Sequence, residues 1–273
     1  VSIARYGVRE QTQTHSLAES HAEQVRIVGY AVVETALPSE DLKRLRDSLD
    51  AMIGRDEADA GGRETLARLG EADTVRAPLV ADPQFLDVAT HGLILAIVRA
   101  LLGEYVVLIQ QNGIINRPDV ESHRQAGYHR DLPYQHLVTS RPLAVSALLC
   151  LDPFEPETGC THVLPGSHKI DAFPSDGYVE RMEQPVSAKP GSYIVMDAML
   201  YHRAGFNRSG GARRAVNNVY ALPIVKQQIV LPALLAGRWS DDAVLARLLG
   251  YESDPPRSVA EYRARRAARA AEP

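Results

Sequence analysis

From residue 105 to residue 222 the chain is a succession of short apolar runs cut by Pro, Gly and Asp, with no stretch of helical period between them. The runs are 105–116 (YVVLIQQNGIIN), 142–151 (PLAVSALLCL), 160–164, 192–197 and 214–222, and the breaks include Pro165-Gly166-Ser167 and Pro190-Gly191. Parallel strands would need long, usually helical, crossovers between them. Short strands joined by turns instead predict an antiparallel sandwich or barrel.

The flanks read differently. Residues 1–24 lack apolar periodicity and are expected to form a loose arm or an early helix. The β-branched run at 25–34 (VRIVGYAVVE) predicts a strand. Pro38-Ser39 opens a helix with Leu42, Leu45, Leu49 and Met52 on one face and Gly54 at its end. Residues 55–76 read as a charged surface loop with some helix. A second helix is expected from Asp82-Pro83, with Leu86, Leu93, Ile97 and Leu101 inward and Gly103 as its stop. Ser258 and Glu261 have the spacing of a capping box, so the basic segment 263–270 (RARRAARA) reads as a solvated terminal helix. The fold class predicted is α+β with a mainly β core. The chain is expected to be one domain: an arm (1–24), a mostly helical support (25–104), the β core (105–223) and C-terminal helices (224–273).

Composition narrows the function. With 45% apolar and 23% charged residues over 273 positions, the chain can bury a substantial core. A formal net charge of -4 supplies no pull toward nucleic acid or an anionic membrane, and neither is expected as a partner. No apolar run approaches the roughly 20 residues of a membrane helix. Residues 1–20 lack the basic-then-apolar order of a secretion signal, so a cytoplasmic location is the expectation. Cys150 and Cys160 are too few for a disulfide scaffold and are read as reduced, buried side chains.

The chemistry centres on Tyr128-His129-Arg130-Asp131. In an extended segment residues two apart share a face, so His129 and Asp131 can reach one point. A histidine from elsewhere would complete two imidazoles and one carboxylate, the set that suits non-haem Fe(II) with open positions for oxygen chemistry. His202 is the candidate. A rival uses His136 with His129 and Asp131 as a local zinc set for a hydrolase or isomerase. A third reading is a non-catalytic barrel that binds a small acid. A 2-oxo acid chelating such an iron would need a cation for its far carboxylate, and Arg213 and Arg214 stand where the chain returns past His202 after a Gly-rich turn.

Several motifs in one order resemble the phytanoyl-CoA dioxygenase family of Fe(II)/2-oxoglutarate-dependent oxygenases: His129-Arg130-Asp131, the stretch 157–169 (ETGCTHVLPGSHK), Pro190-Gly191-Ser192, His202 and Arg213. The stretch is similar to the family signature N-G-x-x-x-x-x-P-G-S-H-K, with Thr158 where Asn is usual. The resemblance implies a double-stranded β-helix, or jelly roll, with Fe(II) on His129, Asp131 and His202. It implies 2-oxoglutarate on Arg213, dioxygen as oxidant, and a small-molecule metabolite as substrate. Asn116 falls where relatives often place a polar contact to the co-substrate, and alternation would then turn Asn112 inward as well. Family members that replace the carboxylate ligand with Ala or Gly are halogenases. Asp131 is retained here, so hydroxylation, or a related desaturation or epoxidation, is implied. Tyr134, His136, Tyr201 and Asn217 are candidate substrate contacts. His168 is read as structural, His123 and His162 as ordinary polar residues, and a homodimer is left open.

Overall fold

In a computed structural model of the chain, residues 3–118 and 124–270 are described. His123 lies outside them. Residues 3–16 have no regular structure, and α1 (Leu17–Val28) then begins with the Ser16 side chain accepting from the Glu19 amide. Ala18, Ala22 and Val25 form its buried face. The strand expected from residue 25 is therefore shorter. Val25 to Val28 finish the helix, Gly29 caps it at φ 96, and β1 (Tyr30–Val33) starts afterwards. Burial of a helical stripe overrides the β-preference of a Val/Ile run here, and a left-handed cap needs glycine.

Helix α2 (Ser39–Asp59) runs through Gly54 instead of ending there. One glycine costs a helix about 1 kcal/mol, less than the gain from seating Leu42, Leu45, Leu49, Met52 and Ile53 in the core. The segment read as loop with some helix holds α3 (Arg63–Leu69) and, beyond that reading, the short edge strand β2 (Thr74–Arg76). Next come α4 (Pro78–Ala81) and, instead of one helix, two: α5 (Gln84–Ala89) and α6 (Gly92–Leu102).

The core strands are β3 (Val107–Asn116), β4 (Ala144–Cys150) and β5 (Thr161–Val163), all inside the runs read from sequence. A helix, α7 (Asp176–Met182), then interrupts the β region where none was expected. It leads into β6 (Gln184–Val186), followed by β7 (Tyr193–Asp197), β8 (His202–Ala204) and β9 (Arg213–Ala221). The chain closes with α8 (Leu231–Leu235), α9 (Ala243–Leu249) and α10 (Val259–Ala270), the last capped by Ser258 accepting from the Glu261 amide. Among the described residues no helix is long and apolar enough to cross a membrane.

The strands form two antiparallel sheets, a six-stranded one in the order β1-β7-β4-β9-β3-β2 and a three-stranded one in the order β6-β5-β8. Alternation decides what each face does. On β4 and β7, Val145, Ala147, Leu149, Tyr193 and Val195 pack with Leu49, Phe85, Ile94 and Ile97 of the helices. Leu148, Cys150, Ile194 and Met196 turn the other way and meet Cys160 and Val163 of the small sheet. Helices thus back the large sheet, and its other face looks into the barrel, where the site lies.

Candidate metal and co-substrate site

The segment that carries His129 and Asp131 lies outside the named strands. It is joined to β8 at one point, where His129 N–H donates to His202 O (3.0 Å) and His202 N–H donates to His129 O (3.1 Å). Asp131 N–H donates to Ala198 O at 2.9 Å. Arg130, between the two, points away and is buried. Its guanidinium donates to the carbonyls of Gln135, Leu137, Ser167 and Ile170 and lies 4.0 Å from the Tyr201 ring centroid. One side chain thereby ties the metal-bearing loop to the Pro165-Gly166-Ser167-His168 turn. That turn is itself fastened to the end of α1 through Gly166 N–H on Val28 O (2.8 Å) and His168 Nε2, 3.2 Å from Arg26 O.

The pairing brings His129, Asp131 and His202 together, with one donor atom from each lying within 4.8 Å of the others. His202 Nε2 is 3.5 Å and His129 Nε2 4.0 Å from Asp131 Oδ1. Each Nδ1 faces a backbone carbonyl, Gly127 O at 2.9 Å for His129 and Leu200 O at 3.0 Å for His202. A proton held on each Nδ1 leaves both Nε2 lone pairs directed at the shared point, as a metal-ligating imidazole requires. Asp131 Oδ2 accepts from Ser146 Oγ and from Asn217 Nδ2 (3.4 Å). Burial would raise the Asp131 pKa, but the facing His202 and His129 and the Ser146 hydrogen bond outweigh it and hold the carboxyl well below its usual range. For His202, burial disfavours the charged form, and Asp131 more than offsets it, raising the pKa. An anionic carboxylate beside two neutral nitrogens is a donor set that fits a divalent iron.

These ligands line a pocket with about 420 Å³ of empty space, counting its open mouth, together with Ile114, Thr161, Arg213 and Asn217. Arg213 starts β9 and is 3% exposed, while its neighbour Arg214 turns out to Asp50 and Asp152. Arg213 makes no hydrogen bond or ion pair with the described residues. Its Nε is buried without a partner, and its guanidinium rests 4.2 Å from the Phe154 ring centroid. Burial lowers its pKa to about 10. Asn217 Oδ1 is also buried without a partner. A desolvated cation with no acceptor, in the same pocket as a metal donor set, suits an anionic ligand that chelates the metal.

The other expected site residues are placed elsewhere. Asn116 faces inward, but Nδ2 donates to Gly205 O (3.0 Å) and Gly159 O (3.4 Å), which binds two loops together instead of reaching the pocket. Asn112 also faces inward, in an adjoining cavity with about 920 Å³ of empty space, counting its open mouth, that shares His129 and Asp131 with the first. In the amide orientation that satisfies its neighbours, Asn112 Oδ1 accepts from Gln110 Nε2 (2.7 Å) and Arg76 Nη1 (2.8 Å). His136 is exposed, with Nδ1 3.0 Å from Asp171 O, and takes no part in the three-residue cluster. The local zinc set is corrected accordingly. Tyr134 is 55% exposed, and Tyr201 is buried against Arg130 with its hydroxyl on Gln135 O, so neither lines the pocket. Residues not anticipated are Ser146 and Thr161. Period-two alternation in their strands, Ser146 with Leu148 and Thr161 with Val163, was the available signal.

A jelly roll holding two histidines and a carboxylate at one point, with open space before them, defines a non-haem iron oxygenase. The phytanoyl-CoA dioxygenase (PhyH) family model matches residues 25–215, and the chain belongs to that family. As a member it is an oxygenase, and its His129, Asp131 and His202 donors fit Fe(II). It is similar to an uncharacterized protein of Mycobacterium tuberculosis, Rv1501, at 34% identity over 244 residues, covering 86% of this chain and 87% of that one. Among solved structures it resembles EctD from S. alaskensis, which holds 2-oxoglutarate and 5-hydroxyectoine (TM-score 0.64, 22% identity, 78% of this chain and 79% of that one). It also resembles the epimerase SnoN from nogalamycin biosynthesis (TM-score 0.58, 19% identity, 76% and 83%).

Proposed function

We propose that the chain hydroxylates a small-molecule metabolite, with Fe(II) held by His129, Asp131 and His202 and the distal carboxylate of 2-oxoglutarate held by Arg213. The observation that carries this reading is Arg213, a buried guanidinium without an acceptor in the pocket that holds the three metal donors. In the balanced reaction, one oxygen atom of O2 enters a substrate C–H bond as hydroxyl and the other enters succinate as 2-oxoglutarate loses CO2. Bound iron supplies the redox centre at which this electron exchange takes place.

The chain's own residues prepare that centre. The carbonyls of Gly127 and Leu200 fix the imidazole tautomers, and Ser146 and Asn217 aim the Asp131 carboxylate. Three protein ligands leave the remaining positions to small molecules. Asp131 would supply the carboxylate ligand that the family's halogenases replace with Ala or Gly, which favours oxygen transfer over halogenation. Arg213 fixes the co-substrate end to end, and the barrel wall of Ile114, Leu148 and Met196 keeps water from the reacting carbon. The adjoining cavity, bounded by Thr74, Arg76, Gln110, Asn112 and Gln228, opens beside His129 and Asp131 and is the space for the substrate.

SnoN is an epimerase, so reaction type has to be measured and does not follow from the fold. Succinate release across a panel of candidate metabolites, followed by mass analysis, tests the proposal. Substrate-dependent succinate with a product heavier by one oxygen is expected. A product of unchanged mass, or lighter by two hydrogens, would replace hydroxylation by epimerisation or desaturation.

A further inference from the structure

The two metal histidines sit on different kinds of segment. His202 belongs to β8, which pairs with β5. His129 lies outside the named strands and pairs with His202 in an isolated bridge. Tyr128 therefore lies across from Arg203 in the next antiparallel pair, and alternation sends these two side chains to the side opposite the histidines. Arg203 in turn is registered with His162 of β5.

All three of these side chains converge on one carboxylate. Glu183 follows α7 and precedes β6. Its Oε1 accepts from the Tyr128 hydroxyl and from Arg203 Nε (2.7 Å), and its Oε2 accepts from Arg203 Nη2 (2.9 Å) and lies 2.9 Å from His162 Nδ1. The Arg203 guanidinium also lies 5.5 Å from the Tyr128 ring centroid. The Glu183 side chain is 22% exposed. Burial acts to raise its pKa, but the hydrogen bonds from Arg203, Tyr128 and His162 prevail and pull it down to about 2, so the carboxylate is charged at neutral pH.

We infer that Glu183 is a positioning residue for the metal site, gripping Tyr128 beside His129 and Arg203 beside His202 so that both imidazoles are held at one separation. The inference rests on the metal assignment proposed above. A bidentate Arg–carboxylate pair is rigid, and the Tyr128 hydroxyl shares that carboxylate, so a shift of the 127–131 segment must break a charge-assisted hydrogen bond. A ligand held within about 0.5 Å of its place needs this kind of support from the residues behind it.

The test is titration of the apoprotein with Co(II), read by its visible absorption, for wild type, Glu183→Gln and Tyr128→Phe, alongside thermal melting of each apoprotein. Glu183→Gln keeps the shape but removes the charge from both arms. Tyr128→Phe leaves the Glu183–Arg203 pair intact and cuts only the arm to His129. The expected result is Co(II) affinity lowered roughly 10- to 100-fold in Glu183→Gln, the range for removing a partner behind a metal ligand. A smaller loss and an altered band shape are expected in Tyr128→Phe, whose melting should match wild type. Affinity and spectrum identical to wild type in Tyr128→Phe and Glu183→Gln would overturn the inference and leave Glu183 an ordinary ion pair. If Glu183→Gln does not fold, Tyr128→Phe alone decides. Wild-type protein that binds no Co(II) would instead overturn the metal assignment, and the inference with it.

Discussion

Replacing Arg213 by Met separates an anchor from a structural cation. The drop in the Arg213 pKa from 12.5 to about 10 corresponds to roughly 3 kcal/mol of bias against the buried charged form. Against this stands the contact with Phe154 at 4.2 Å, worth about 0.5–2 kcal/mol. No hydrogen bond is lost in the apoprotein, because Arg213 makes none with the described residues. Arg213→Met should therefore leave apoprotein stability within about 1 kcal/mol of wild type or raise it, since a methionine of similar reach fills the space without the desolvated charge. Ligand binding should respond in the opposite direction. Two charge-assisted hydrogen bonds to a carboxylate, at about 1.5–3 kcal/mol each, are lost. After partial compensation by water, the affinity for 2-oxoglutarate should fall by roughly 100-fold or more. Urea unfolding of the apoprotein gives the first quantity, and calorimetric titration of 2-oxoglutarate into the metal-loaded protein gives the second. An unstable apoprotein with unchanged 2-oxoglutarate affinity would refute the reasoning and make Arg213 a packing residue.

Gly159 sits at φ 73 with Gly205 O 2.6 Å from where a Cβ would be, so Gly159→Ala should destabilise the fold by more than about 2 kcal/mol in urea unfolding. Asn217→Ala should weaken metal binding by about tenfold, as it removes a donor to Asp131, with little change in melting temperature. His136→Ala should leave metal affinity at the wild-type value, since His136 is outside the cluster. Because the folded-state pKa of Glu183 is depressed to about 2, its contribution to stability is present above the ordinary Glu value of 4.5 and is lost as pH falls toward 2. Acid titration of stability should therefore be shallower in Glu183→Gln than in wild type over that window.

The β core was readable because its long strands are buried on both faces, rich in apolar residues and bounded by Pro, Gly and Asp. The α1–β1 junction was misread for a physical reason: Val25 to Val28 have β-branched preference, yet Ala18, Ala22 and Val25 supply a buried helical stripe that wins on packing. Helix α7 carries no buried residue, so it left no apolar period to detect. At the site, His129, Asp131, His202 and Arg213 were named because metal and carboxylate chemistry demands particular residue types. Asn116 was named from the resemblance, and Tyr134, His136 and Tyr201 by proximity in sequence, neither of which says where a side chain spends its hydrogen bonds. Tyr201, for example, was committed to Gln135 O and the Arg130 guanidinium, contacts that close a loop far from it along the chain. Glu183 was invisible for the same reason, since its three partners come from three separate segments.

The central claim is that one pocket holds iron through His129, Asp131 and His202 while Arg213 seats 2-oxoglutarate against it. Anaerobic addition of 2-oxoglutarate to the Fe(II)-loaded protein tests this most directly, because chelation through the keto oxygen and adjacent carboxylate produces a weak visible charge-transfer band. The account predicts the band in wild type, its absence in His202→Ala, and a far higher 2-oxoglutarate requirement in Arg213→Met. Folded wild-type protein with iron bound and no band at saturating 2-oxoglutarate would contradict it.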